Sequence, residues 1–191
     1  NNRGRSGGYV YATDEDWQVF MKARTSLEVS GSNAVSPANP NNAIIMADKL
    51  IRLFAPVADV NGIISAGLSG KGASDGRILV NVGQTLTIAG GALSSNRNIE
   101  LNAGVDMAWS RSRLEGTILR SELIGGNIVV SGQALLTAAD GAIVLKAGGD
   151  VTLDAAQNVS STRSVSVESY KTVAETLTTV VGYEKVALPD P

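Results

Sequence analysis

The stretch AIVLKAGGDVTL, residues 142–153, decides the fold. Ile143, Leu145 and Ala147 alternate with Val144 and Lys146, Gly148-Gly149-Asp150 interrupts, and Val151 and Leu153 resume the alternation in the same phase. Alternation of period two places one set on one face of a strand and the other set on the opposite face. The unit therefore reads as two short strands joined by a sharp corner. Two such strands cannot hide an apolar face alone. Stacked along an axis, they bury it continuously, and each coil hydrogen-bonds to the next.

The same pattern, apolar-x-apolar-x-small, then turn-like residues, then apolar-x-apolar, begins at Val19, Ala43, Ile78, Ile99, Ile128 and Ile143. Its small or central position is filled by Ala23, Ala47, Val82, Ala103, Gly132 and Ala147. Repetition of this kind predicts an all-β solenoid, a parallel β-helix of about six to eight coils with inserted loops. A coil of roughly 20–24 residues, lengthened by loops in places, accounts for every step between copies but one. The step from Ile128 to Ile143 is too short for a full coil. Two readings stay open there: a tight coil, or a copy offset around the helix.

Working outward, residues 1–17 form a polar and aromatic lead-in or cap, 18–169 the β-helix, and 170–191 terminal strands or a cap. Thr13 to Arg24 has helical features (a possible Thr13 N-cap and acids in the first turn), but the copy at Val19 favours strand over residues 18–29. Ala43 to Phe54 likewise tolerates a helix, and the following Asn61-Gly62 turn and β-branched run favour strands. The aromatics Tyr9, Tyr11, Trp17 and Phe20 are expected to cover the open end of the stack. Loops at 30–42, 69–76 and 106–125 interrupt the repeat, so direct recognition is expected there.

Composition narrows the function. Sixteen basic and eighteen acidic residues give a net charge of −2 with no basic stripe, which argues against nucleic acid as a partner. The chain has neither cysteine nor histidine, which excludes the zinc sites built from them, thiol catalysis and a Ser-His triad. No cofactor is expected. No apolar run approaches the roughly 20 residues of a membrane helix. The chain opens on Asn1 without a secretory signal and reads as a piece of something longer.

The stretches AIVLKAGGDVTLDAAQNVSSTRSVSVES (142–169), NIELNAGVDM (98–107) and NGIISAG (61–67) resemble the haemagglutinin repeat of filamentous haemagglutinin-type exoproteins. That family comprises very long bacterial surface proteins exported by two-partner secretion, including adhesins and contact-dependent growth-inhibition effectors. The resemblance covers roughly residues 60–170. It implies a right-handed parallel β-helix stalk, secreted and displayed on the bacterial cell surface. It further implies an outer-membrane transporter during export and a host or neighbouring-cell receptor or glycan as partner. Asn39-Pro40-Asn41-Asn42 resembles the family's Asn-Pro-Asn secretion motif but lacks the following glycine, so no secretion role is assigned to it.

Two chemical readings fit the outward and loop residues. Polysaccharide-degrading enzymes also use parallel β-helices, with carboxylates gathered on one outer face. Glu100, Asp106, Asp150 and Asp154 are the candidates, against a reading as solvated charges and turn residues. Trp109 with Arg111, Arg113 and Arg120 forms a candidate ligand site, because an aromatic beside arginines can stack on a sugar or hold an anionic glycan. Its alternative has Trp109 filling the interior and the arginines pairing with Glu115 and Glu122. The expected function is a non-enzymatic stiff stalk with adhesive loops. A β-helical carbohydrate-active enzyme or phage tail-type protein is the rival.

Overall fold

A computed structural model describes residues 9–12, 18–30, 43–67, 75–105, 123–154, 158–169 and 173–175. They form a parallel β-helix in six coils of three strands. The first coil comprises β1 (Tyr9–Ala12), β2 (Gln18–Lys22) and β3 (Ser26–Val29), and the second β4 (Ile44–Ala47), β5 (Leu50–Ala55) and β6 (Val57–Val60). The third has β7 (Ile63–Ala66), β8 (Arg77–Val82) and β9 (Thr85–Ala89), and the fourth β10 (Ala92–Ser95), β11 (Ile99–Ala103) and β12 (Asn127–Ser131). In the fifth are β13 (Leu135–Ala138), β14 (Ala142–Ala147) and β15 (Val151–Leu153), and in the sixth β16 (Asn158–Ser161), β17 (Ser164–Ser169) and β18 (Val173–Glu175). First strands of all coils pair as sheet A, second strands as sheet B and third strands as sheet C, each in coil order. Every pairing between these strands is parallel.

The register lines up identical chemistry. In sheet B one inward column runs Val19, Ile51, Ile78, Ile99, Ile143, Val165, and the next Met21, Leu53, Val80, Leu101, Leu145, Val167. Ala55, Val82, Ala103 and Ala147 close these strands at 0–1% exposure, where the chain turns and the interior narrows. Sheets A and C contribute Ile64, Leu93 and Leu136, and Leu86, Ile88, Ile128 and Val130, to the same core. Each fully buried Leu or Ile contributes about 1.5–3 kcal/mol of transfer free energy.

The structure settles the short step from Ile128 to Ile143. Ile128 lies in sheet C and pairs with Leu86 and Val151, whereas Ile99 pairs directly with Ile143. The copy at Ile128 is thus offset around the helix within the fourth coil. The copy at Ala43 is offset too, since it leads into β4 of sheet A, and the sheet-B equivalent of Val19 is Ile51. Three faces that each end on a small residue produce the same motif, so period-two pattern alone does not say which face a copy occupies. Residues 18–22 and 50–55 are strand, not helix. Phe20 is 38% exposed on the outer face of β2, contrary to the expectation that it covers the end of the stack.

The stretches 31–42, 68–74 and 106–122 lie outside the described residues, between β3 and β4, β7 and β8, and β11 and β12 in chain order. The strands that flank them keep their register.

Candidate functional site

The outer face of sheet B carries the most distinctive surface chemistry. Outward positions form two columns: Phe20, Arg52, Leu79, Glu100, Val144 and Ser166, and beside it Lys22, Phe54, Asn81, Asn102, Lys146 and Glu168. Outward residues should be wet, yet Phe54, Asn81 and Asn102 are 1%, 1% and 0% exposed. Lys146 and Glu168 are half-buried.

Burial forces the two amides to find partners. Asn102 Nδ2 donates to Asn81 Oδ1 at 2.8 Å and to Glu100 Oε1 at 3.1 Å. The register brings this about: Asn81 and Asn102 face each other across β8 and β11, and Glu100 precedes Asn102 by two on the same face. Asn102 Oδ1 is buried and accepts no hydrogen bond. The next residue in its column is Lys146.

The corner after sheet B is a second built feature. Val105 pairs with Leu123 in an antiparallel bridge, and Gly125 pairs with Gly148 likewise. Ile124 N–H donates to Gly104 C=O at 2.9 Å and Gly148 N–H to Ala103 C=O at 3.1 Å. The strip 123–126 is therefore held between the corners of the fourth and fifth coils. Gly104 has φ +91° and Gly126 φ +76°, and a methyl on either would fall on the other strip's backbone. Only glycine fits such an approach.

Along the corner between sheets A and B, charges alternate from coil to coil. Asp75 pairs with Arg77 at 3.5 Å and Arg97 at 4.0 Å, Arg97 pairs with Asp140, and Asp140 pairs with Arg163 at 3.3 Å. All these groups are at least one-third exposed, so each pair contributes little alone.

Trp109, Arg111, Arg113 and Arg120 lie outside the described residues, as do Asp106, Glu115 and Glu122. The remaining candidate carboxylates fall in different places. Glu100 is on the outer face of sheet B, Asp150 at the corner before β15, and Asp154 just beyond β15. Asp150 N–H donates to Asn127 Oδ1 at 2.8 Å, as a turn residue's backbone would. Among the described residues, no group of three or more acids could hold a metal ion, and no helix is long and apolar enough to cross a membrane. Asn81, Asn102 and Lys146 escaped the sequence reading. The signal was present, because all three occupy the fourth position of their copies.

No family model, curated protein or solved structure matches the chain at a significant level.

Proposed function

We propose that this chain is a rigid segment of a large secreted protein displayed on the bacterial surface, a stalk that holds binding or effector regions away from the cell. The observation that carries this reading is the unbroken register of three parallel sheets through six coils. Such a stack resists bending, because all three strands of a coil are hydrogen-bonded to the matching strands of its neighbours. The stretches that resemble filamentous haemagglutinin-type repeats include the sheet-B strands of the fourth, fifth and sixth coils. Six coils at about 4.8 Å per step span on the order of 30 Å, so longer reach comes from more coils of the same kind. An outer-membrane transporter for export, and a receptor or glycan met by the corner loops, belong to this proposal.

The test is mechanical. The chain is held by its two ends and stretched in single-molecule force spectroscopy. A stalk yields in discrete steps, each releasing the length of about one coil. Smooth extension at low force, with no steps, would overturn the proposal.

A further inference from the structure

The buried carboxamide of Asn102 stands in a setting that the stalk reading does not use. Its Nδ2 is bonded to the Glu100 carboxylate at 3.1 Å, and its Oδ1 is buried without a donor. The side chain that follows in the column, on β14, is Lys146, which has three N–H donors and no acceptor. The register of two neighbouring coils thus sets Lys146 beside Asn102 on the outer face of sheet B, with the Glu100 carboxylate already bonded to the Asn102 amide. Asn102 is 0% exposed, so water has little access to its carbonyl carbon.

We propose that Lys146 and Asn102 are the partners of an intramolecular amide cross-link, formed by the folded chain itself with Glu100 as its acid–base catalyst. Glu100 takes the proton of the Lys146 ammonium, and the free amine attacks Cγ of Asn102. In the tetrahedral intermediate Glu100 passes a proton to the departing amino group and receives one from Nζ. The Cγ–Nδ2 bond breaks, ammonia leaves, and a Cγ–Nζ amide remains. One ammonium and one carboxamide become one secondary amide and one ammonium ion, so no oxidant or reductant enters. Folding supplies the proximity on which such a reaction depends. The link would tie the fourth coil to the fifth across the stretch 106–122, where the chain between them is longest. The chain has no cysteine, so a disulfide cannot serve this purpose.

Intact-mass spectrometry of the folded chain tests this directly. The expected mass is below that of the sequence by one ammonia, and trypsin releases the peptides holding Asn102 and Lys146 as one linked species. Lys146→Arg and Glu100→Gln, both at outward half-buried positions, keep the circular dichroism spectrum of the fold and show the full mass. A full mass in the unaltered chain overturns the proposal. So does a deficit that persists in Lys146→Arg, or one that maps elsewhere, such as a succinimide at Asn61-Gly62. Either result leaves the stalk reading standing, since that rests on the coil stack and not on the link.

Discussion

Replacing Leu101 by alanine probes the interior column where it is best enclosed. Leu101 is 0% exposed and lies between Val80 on one side and Leu145 on the other. The lost transfer free energy and the cavity together place the cost at about 3 kcal/mol. Relaxation is limited, because each neighbour is fixed by its own ladder of backbone hydrogen bonds. Val144, in the coil that pairs with this one, points outward and is half-buried, so Val144→Ala should cost less than about 1 kcal/mol. Both are measured by urea titration followed by far-ultraviolet circular dichroism, comparing midpoints at equal m. The reasoning is refuted if Leu101→Ala lies within about 1 kcal/mol of the parent, or if Val144→Ala costs as much as Leu101→Ala.

Further outcomes follow from the corners. Gly104→Ala should cost about 3 kcal/mol, from a positive φ joined to collision with the Gly125 carbonyl, whereas Gly125→Ala, with φ +63° and open space around it, should cost about 1 kcal/mol. The same titration reads both. Asp140→Asn removes the link between Arg97 and Arg163 and should lower stability by about 0.5–1 kcal/mol in low salt. That difference should shrink in about 1 M sodium chloride, where the Debye length falls to about 3 Å, comparable with the separation of the pairs.

The sequence made the architecture legible because the alternation is nearly unbroken where both strands of a copy are short and the corner is glycine-rich. Ile143 to Leu153 reads as the strand–corner–strand unit it forms. It obscured which face each copy occupies. In β5 the run Leu50-Ile51-Arg52-Leu53-Phe54-Ala55 has an outward Phe54 that is buried, so the alternation blurs and a helix looks plausible. Ile128 opens a good copy because a sheet-C strand obeys the same inward–outward rule as one in sheet B. The polar column was hidden for a different reason. Asn81 and Asn102 sit in the outward phase, where pattern alone assigns water, yet both are buried and bonded to each other. The charge ladder was equally out of reach, since Arg97 and Asp140 meet only through the stacking of coils.

The central claim is the register that sets Ile99 against Ile143 and places Ile128 in a different sheet. Cysteine pairs introduced into this cysteine-free chain measure it most directly. Val129 and Thr152 are register partners in sheet C, and adjacent parallel strands lie about 4.8 Å apart, within disulfide reach. The account predicts that the pair Val129→Cys with Thr152→Cys closes to a disulfide under mild oxidation, while Val129→Cys with Val144→Cys stays open. Closure of the second pair and not the first would mean that Ile128 and Ile143 begin successive coils of one sheet, and would contradict the fold described.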